Sequence, residues 1–214
     1  MARVRIKICG ITTPADALAA ANAGADAIGL VFYAPSPRVV TLQQAAEIQS
    51  VLPPFVTTVG LFVNPEADLV HDALAAVPLD CLQFHGDEAA AFCAGFGRPW
   101  IKAIRVSDAR SVSDARLKPY GAAQALLLDA ADAQVFGGSG RSFDWSLVPG
   151  DLMKSVVLAG GLNAANVGEA IRCVRPYAVD VSSGVESAPG KKDATLIQHF
   201  VRAVQTESGV TAAS

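Results

Sequence analysis

The chain has 214 residues, of which 51% are hydrophobic, and it carries a formal net charge of -3. This length allows one sizeable domain with a well-filled core, and the nearly balanced charge argues against a nucleic-acid-binding arm or a membrane-surface patch. Composition therefore favours a small soluble ligand as the partner of this protein.

Eight short apolar runs recur along the chain, and most of them are continuous rather than alternating. In chain order they are VRIKI from residue 4, AIGLVF from 27, TTVGLFV from 57, CLQF from 81, WIKAI from 100, ALLLD from 125, SVVLAG from 155 and AVDVS from 178. Continuous apolar runs are typical of parallel strands that are covered on both faces or closed into a barrel. We therefore predict eight parallel strands.

Helix patterns with recognisable starts lie between most of these runs. The predicted helix N-caps are Thr13 followed by Pro14, Thr41 with Gln44, Asn64 with Pro65, Asn163, and Asp193. In the last helix one face carries Leu196, Ile197, Phe200, Val201 and Val204, which predicts that this helix packs on the sheet. The glycine-rich segment 130–150 indicates a long loop with one helical turn in WSLV.

Strand and helix patterns alternate eight times without a linker or a compositional break. This alternation favours a (β/α)₈ barrel, the TIM-barrel architecture of the α/β class, over a doubly wound sheet of five or six strands. We predict a single domain over residues 1–214, with a loose C-terminal tail after about residue 207. In such a barrel the active site lies at the C-terminal ends of the strands, so the residues after each run are the functional candidates.

The four cysteines are scattered, with no CxxC pair and no histidines at zinc-site spacing. They indicate neither a disulfide framework nor a metal site. A strand pattern begins almost at the N-terminus, which leaves no room for a signal peptide, and no apolar run is long enough to cross a bilayer. We therefore expect a cytoplasmic protein in a thiol-reducing compartment.

Two stretches rich in glycine and serine follow the seventh and eighth strands, LAGGLNAANV and DVSSGVESAPGKKD. In this fold the loops after these strands usually bind phosphate, because exposed backbone N–H groups can hold an anion there without a lysine. Either stretch alone is equally an ordinary turn, but two such loops at the two expected positions favour a phosphate site. The candidate residues are Gly160, Gly161, Ser182, Ser183 and Gly184.

Two strand ends carry candidate groups for proton transfer. Asp129 ends ALLLD, and a carboxylate at the mouth of the barrel is either a general acid or a cap or loop salt bridge. Cys9 ends the first strand, on the opposite side of the barrel in strand order. Its thiol is buried packing, a base, or a nucleophile that needs a base such as His85 beside it. Facing each other across a substrate, Cys9 and Asp129 would form an acid–base pair.

Further polar candidates follow the second and fourth strands. Arg38 comes after YAPSP, where its guanidinium can pair bidentately with a carboxylate or remain a surface charge. Gln83 and His85 lie at the end of the fourth strand. The glycine-rich stretch 137–143 near Asp129 is either a lid that excludes water or a disordered excursion.

Seven motifs, taken together, resemble the phosphoribosylanthranilate isomerase family of tryptophan biosynthesis over nearly the whole chain. They are KICGIT, SPR, GLFVN, LQFHGDE, GGSGRSFDW, LAGGLNAANV and DVSSGVESAPGKKD, in the family's order and on the expected strand ends. The resemblance implies an Amadori rearrangement of N-(5-phosphoribosyl)anthranilate to 1-(2-carboxyphenylamino)-1-deoxyribulose 5-phosphate. It implies no cofactor and no metal.

The resemblance also implies residue roles. Cys9 matches the family's general base, Asp129 its general acid, and Arg38 the arginine that holds the anthranilate carboxylate. Gln83 and His85 are carried as substrate-binding candidates, and the loop glycines and serines match the family's phosphate grip. The outer helices of such a barrel allow either a monomer or a homodimer.

Two other functions stay open from sequence. One is the related histidine-pathway phosphoribosyl sugar isomerase, which performs the same rearrangement on an aminoimidazole substrate with aspartates on both sides, so that Cys9 argues against it. The other is a non-catalytic phosphosugar-binding barrel, which would not need both Cys9 and Asp129.

Overall fold

The protein folds as a closed eight-stranded parallel barrel. The computed structural model describes residues 3–131, 142–150, 152 and 154–209. The strands follow chain order around the ring, and they are β1 (Arg5–Cys9), β2 (Ala27–Val31), β3 (Thr57–Phe62), β4 (Cys81–Phe84), β5 (Trp100–Val106), β6 (Ala125–Ala130), β7 (Ser155–Leu158) and β8 (Ala178–Val181). Strand β1 pairs with both β2 and β8, which closes the barrel. The predicted (β/α)₈ architecture is confirmed.

Helices of unequal length connect these strands. They are α1 (Pro14–Ala23), α2 (Leu42–Ser50), α3 (Ala67–Ala76), α4 (Ala90–Cys93), α5 (Asp114–Leu117), α6 (Val167–Val174) and α7 (Ala194–Glu207). After β8 the chain also forms a small antiparallel hairpin from β9 (Glu186–Ala188) and β10 (Lys191–Lys192). No helix in the described parts of the chain is long and apolar enough to cross a membrane.

The connection between β6 and β7 has the helical turn that the sequence predicts. This turn is a short 3₁₀ helix, Trp145–Leu147. Most of the glycine-rich stretch that we interpreted as a lid falls within 132–141, outside the described residues. The predicted tail after residue 207 is likewise only partly covered, because α7 ends at Glu207 and the description stops at residue 209.

Three of the predicted helix starts are confirmed by hydrogen bonds. Thr13 accepts a bond from the backbone N–H of Asp16, and Thr41 forms a reciprocal capping box with Gln44. Asp193 accepts bonds from two backbone N–H groups in the first turn of α7. In each case a side-chain oxygen satisfies N–H groups that have no partner inside the helix.

Two predicted helix starts are wrong. Asn64 adopts a left-handed backbone with φ of 44°, its side chain accepts a bond from the loop after β4, and Glu66 is the residue directly before α3. Asn163 uses its side chain in a turn that precedes α6, and Asn166 takes the N-terminal position of that helix. Both asparagines stabilise turns outside the helix, a role that their short amide side chains also suit.

The last helix packs on the barrel through most of the predicted face. Its buried side chains are Ile197, Phe200, Val201 and Val204. Leu196 does not belong to this face, because it is 38% exposed. Four apolar side chains at helical spacing are sufficient to anchor α7.

The side chains of each strand alternate between the helix-facing shell and the barrel interior. In β1, Ile6 and Ile8 belong to the large apolar cluster between barrel and helices, whereas Lys7 and Cys9 alternate with them and point inward. A smaller apolar cluster fills the interior, and it consists of Ala103, Ala125, Leu127, Val157, Ala159 and Ala178. This alternation places the charged side chains of Lys7, Asp129 and Asp180, from three strands, inside the barrel, close to its C-terminal end.

Candidate active site

A cavity opens at the C-terminal ends of the strands, as the fold predicts. It brings together nine of the ten predicted site residues from six different strand ends or the loops after them. These nine are Cys9, Arg38, Gln83, His85, Asp129, Gly160, Gly161, Ser182 and Ser183. Cys9 and Asp129, from strands β1 and β6, therefore share one pocket.

Gly184 is the predicted site residue that does not line this cavity. It lies in a 3₁₀ turn, Ser183–Val185, where a side-chain carbon would overlap the carbonyl oxygen of Leu162. Glycine is required at this position because the two backbones approach so closely. Gly184 thus packs the loop after β8 against the loop after β7, and this contact keeps both predicted phosphate loops at one end of the cavity.

The carboxyl group of Asp129 is the end of a buried hydrogen-bonded chain. The amide Nε2 of Gln83 lies 3.0 Å from Nδ1 of His85, and Nε2 of His85 lies 3.0 Å from Oδ2 of Asp129. An amide nitrogen can only donate, so Nδ1 of His85 accepts and the hydrogen of the neutral ring is on Nε2. Oδ1 of Asp129 accepts a bond from the backbone N–H of Ala130 at 2.9 Å.

This chain has a consequence for the position of Asp129. With this direction of the bonds, Nε2 of His85 donates to Oδ2 of Asp129. The two hydrogen bonds fix the Asp129 carboxyl group beside the cavity that it lines. Gln83 and His85 therefore act on Asp129 in addition to lining the pocket.

Cys9 lies beside a buried ion pair. Nζ of Lys7 is 3.0 Å from both carboxylate oxygens of Asp180, and its charge acts on the neighbouring Cys9 thiol. Burial raises the pKa of Cys9, whereas the Lys7 ammonium lowers it. Burial also lowers the pKa of Lys7, but Asp180 and Cys9 more than offset this, so the pKa of Lys7 is raised and the lysine stays charged.

Room for this arrangement comes from a glycine in the next strand. The backbone register pairs Cys9 with Gly29 of β2. A side-chain carbon at Gly29 would lie 2.7 Å from Sγ of Cys9 and 3.0 Å from Nζ of Lys7. Any larger residue would push the thiol and the ammonium out of their present positions.

A second cationic group lies on the other side of the cavity. The Arg38 guanidinium donates from Nε and Nη2 to the two carboxylate oxygens of Glu186, both at 2.8 Å. Nζ of Lys192 donates to the same carboxylate at 2.7 Å and to the backbone oxygen of Ser182 at 3.1 Å. Two cations share one carboxylate, so a positive charge remains for an anionic ligand.

The charges in this group shift each other's protonation. Burial raises the pKa of Glu186, but Arg38 and Lys192 together outweigh burial and hold this pKa below its ordinary value. Burial lowers the pKa of Lys192. Because Glu186 occupies Nε and Nη2 of Arg38, Nη1 is the guanidinium nitrogen with no part in this pair, and Arg38 itself lines the cavity.

The loop after β7 enters the cavity through two left-handed glycines. Gly160 and Gly161 have φ angles of 84° and 61°. A side-chain carbon at Gly160 would lie 2.6 Å from the backbone nitrogen of Ala130. The glycines therefore let this loop turn close to the strand end that carries Asp129, where its backbone can approach an anion.

Sequence reasoning missed four charged residues of this site, Lys7, Asp180, Glu186 and Lys192. Lys7 and Asp180 each interrupt an apolar strand run, VRIKI and AVDVS, and a charge within a strand buried on both faces is a usable signal. Glu186 and Lys192 lie in an irregular segment without periodicity. Only the hairpin of β9 and β10 brings them to Arg38.

A metal centre is not formed by the residues whose positions are described. Among them, no three or more histidine, cysteine, aspartate and glutamate side chains group together in a way that could hold a metal ion. The four cysteines are free thiols.

The chain matches a known protein family over most of its length. The model of the N-(5'-phosphoribosyl)anthranilate (PRA) isomerase family matches residues 6–203. N-(5'-phosphoribosyl)anthranilate isomerase of Pseudomonas putida strain W619 is 60% identical over 205 residues, which are 96% of this chain and 99% of that protein. The enzyme of the same name from Acidithiobacillus ferrooxidans is 58% identical, with the same coverage.

Solved structures show the same similarity in three dimensions. The crystal structure of phosphoribosyl anthranilate isomerase from Thermotoga maritima superposes with a TM-score of 0.88 at 43% identity, covering 95% of this chain and 99% of that one. A phosphoribosyl anthranilate isomerase in complex with reduced 1-(o-carboxyphenylamino)-1-deoxyribulose 5-phosphate has a TM-score of 0.84 at 42% identity, with the same coverage.

These similarities decide between the functions that the sequence left open. They do not favour the histidine-pathway alternative, since the family model, the two relatives and the two structures described above carry the same isomerase name. They equally give no support to a non-catalytic barrel. The chain belongs to the N-(5'-phosphoribosyl)anthranilate isomerase family of tryptophan biosynthesis, and its (β/α)₈ fold is the fold of that family's solved structures.

Proposed function

We propose that this enzyme converts N-(5'-phosphoribosyl)anthranilate to 1-(2-carboxyphenylamino)-1-deoxyribulose 5-phosphate, with Asp129 as general acid and Cys9 as general base. The observation that carries the residue assignment is that these two side chains come from strands β1 and β6 and line one cavity. Two groups placed on different strands of a rigid barrel can act on different atoms of one bound sugar.

In the first step Asp129 gives its proton to the ring oxygen of the ribose. The bond between this oxygen and C1' breaks, and the lone pair of the anthranilate nitrogen forms a double bond to C1'. The product of this step is an open-chain Schiff base in its protonated, iminium form. The hydrogen-bonded chain of Gln83 and His85 supports this step, because it holds the Asp129 carboxyl group in position at the cavity.

In the second step the Cys9 thiolate removes the proton from C2'. The electron pair of the C–H bond forms a double bond between C1' and C2', and the iminium nitrogen regains its lone pair. The resulting enolamine tautomerises to the ketone. Because the iminium makes C2' acidic, a thiolate is a sufficient base, and neither step needs a covalent bond between enzyme and substrate.

The substrate has two anionic ends, and each binds at a different side of the cavity, one cationic and the other rich in glycine and serine. Arg38 holds the anthranilate carboxylate through the guanidinium edge that Glu186 leaves open. The loops with Gly160, Gly161, Ser182 and Ser183 hold the phosphate. No step of this mechanism runs through a metal or another cofactor.

The same proposal covers partners and location. The partner is a small phosphosugar, with no role for nucleic acid or membrane, and the enzyme acts in the cytoplasm as a monomer or a homodimer. Structures of monomers generated from the dimeric Thermotoga maritima enzyme support both oligomeric forms within the family. The ligand in the second structure described above supports the sugar phosphate.

The test follows the anthranilate fluorescence of the substrate, which falls as the reaction proceeds. We expect Cys9→Ala and Asp129→Asn each to lower kcat by about 10²- to 10⁴-fold, the range for loss of a general acid or base. Binding of inorganic phosphate should stay close to that of the unchanged enzyme. Cys173→Ser is the matched control, because Cys173 is exposed. Full activity of Cys9→Ala would remove Cys9 as the base.

A further inference from the structure

We propose that Lys7, anchored by Asp180 inside the barrel, is the positioning residue that allows the Cys9 thiol to work as a base. This inference deepens the proposed function and rests on its assignment of Cys9. Neither Lys7 nor Asp180 is given a role by that assignment, although both are buried in the barrel interior and Asp180 lines the cavity.

The backbone sets up the contact before any side chain is considered. Lys7 and Cys9 are two residues apart in β1, so both side chains point to the same side of the strand. The register of β1 and β8 pairs Lys7 with Asp180. The barrel therefore delivers an ammonium, a carboxylate and a thiol to one place in its interior, on two adjacent strands.

Asp180 fixes the position of the Lys7 ammonium group. Two hydrogen bonds join Nζ of Lys7 to the carboxylate oxygens of Asp180, both at 3.0 Å. The position that a side-chain carbon of Gly29 would take is close to both Nζ of Lys7 and Sγ of Cys9, so the ammonium lies beside the thiol. Asp180 thus keeps the flexible lysine side chain in the one position from which its charge acts on the sulfur.

A buried thiol needs such a charge to act as a base at neutral pH. Burial disfavours the thiolate, because the charged form loses its water. A cation beside the sulfur restores part of this loss and stabilises the thiolate that removes the C2' proton. Lysine is suited to this task, since its compact ammonium can touch a carboxylate and a thiol at once.

Within the described residues, the largest charge effects on Cys9 come from side chains of three strands. Lys7 of β1 lowers the thiol pKa, Asp180 of β8 raises it, and Lys192 of β10 lowers it. The effect of Lys7 exceeds that of Asp180, so the pair as a whole favours the thiolate. The two members of the pair therefore have opposite effects on the thiol pKa. Variants of Lys7 and of Asp180 should shift the titration of Cys9 in opposite directions.

The experiment measures the rate of Cys9 alkylation by iodoacetamide against pH in the resting enzyme, with peptide mass spectrometry to count label on Cys9 alone. Cys81 and Cys93 do not interfere, because burial raises the pKa of each thiol to about 11 and each gives its own peptide. The variants are Lys7→Met, Asp180→Asn and the double variant. Lys118→Met, which removes an exposed lysine, is the control.

We expect Lys7→Met to raise the midpoint of Cys9 alkylation by about one pH unit or more, the size of effect that a contacting charge has. Asp180→Asn should lower this midpoint, because Lys7 keeps its positive charge and the negative charge of Asp180 is gone. The double variant leaves no unpaired charge at this buried position, so we expect it to fold even if Lys7→Met does not. Its alkylation midpoint should also rise, because the Lys7 charge is absent. Lys118→Met should not move.

An unchanged midpoint in both variants that lack Lys7 would overturn the inference. So would a shift of Lys7→Met and Asp180→Asn in the same direction, because that result indicates altered packing rather than charge. The pH profile of kcat/KM supplies an independent reading, and it should shift with the alkylation midpoint. Activity in Cys9→Ala would refute the proposed base. The order of the alkylation midpoints among the variants is measured without substrate, so it tests the role of Lys7 separately.

Discussion

Two buried lysine–carboxylate pairs lie on opposite faces of the same barrel wall. Lys102 and Glu88 pair at 3.0 Å on the outer side, and Lys7 and Asp180 pair at 3.0 Å on the inner side. All four side chains are at most 7% exposed. The chemistry of the two pairs is the same, but their neighbours are not.

The outer pair is closed by backbone. Nζ of Lys102 donates to the carbonyl oxygens of Phe84 and Gly86, at 3.2 and 2.7 Å, as well as to Glu88. Glu88 in turn accepts bonds from the backbone N–H groups of Asn64 and Gly86. Every partner belongs to the framework, so this pair holds the loop after β4 and thereby the strand end that carries His85.

The inner pair has no such closure. Lys7 binds both oxygens of one carboxylate and lies beside the thiol of Cys9, which takes up a proton in the proposed reaction. A buried ion pair that is enclosed by backbone partners stabilises structure, whereas one beside a titratable group also shifts the pKa of that group. Variants of the two pairs should separate these effects.

The largest effect is expected for Lys102→Met, which should lower the free energy of unfolding by about 3–5 kcal/mol. Glu88 would then be a buried carboxylate without its cation, and three carbonyl oxygens would lose a donor. Urea denaturation followed by circular dichroism measures the loss. A decrease below about 1 kcal/mol would contradict a framework role. Lys102→Met combined with Glu88→Gln should recover part of the loss, because no unpaired charge remains.

This contrast also shows what sequence could and could not predict. The eight strands and the cavity residues Cys9 and Asp129 followed from continuous apolar runs and the position of strand ends, both of which are local signals. Lys7 and Lys102 look alike in sequence, each a lysine between apolar residues in a strand run, VRIKI and WIKAI. Which side of the barrel each faces depends on the register, and that is set by pairing across the closed sheet.

The cationic group around Arg38 could not be predicted from the sequence, for a related reason. Arg38 and Glu186 are separated by 148 positions, and no periodicity marks the hairpin that brings them together. The motif resemblance assigned Arg38 but not the carboxylate that orients it. Long-range pairs between irregular segments have no local pattern, so only the fold identifies them.

The next largest effect is expected for Arg38, whose guanidinium is held along one edge by the carboxylate of Glu186. Arg38→Lys keeps the charge but loses the fork that serves Glu186 and a ligand carboxylate together. We expect KM for the substrate to rise about 10- to 100-fold, which corresponds to the loss of one charged hydrogen bond. Inhibition by inorganic phosphate should be unchanged. An unchanged KM would exclude Arg38 as the carboxylate site.

A smaller effect is expected from the protonation of Glu186. Arg38 and Lys192 outweigh burial and lower its pKa in the folded protein, so its contribution to stability is present above the unfolded pKa. That contribution is lost as pH falls through the lower, folded pKa. Between pH 5 and 3 the unfolding free energy of the wild-type chain should therefore decrease by about 1 kcal/mol more than that of Glu186→Gln. If the unfolding free energies of the two proteins run parallel over this pH range, Arg38 and Lys192 do not lower the pKa of Glu186.

The smallest effect is expected for a third ion pair, an arginine–carboxylate pair at the surface. Arg105 of β5 donates to Asp87 at 2.9 Å, but the two side chains are 31% and 67% exposed. Water and salt screen this pair, and ordering two mobile side chains offsets most of the attraction. Arg105→Met should change the unfolding free energy by less than about 1 kcal/mol, and raising the salt concentration should shrink even that difference. A loss as large as that of Lys102→Met would mean that burial is not what separates the three pairs.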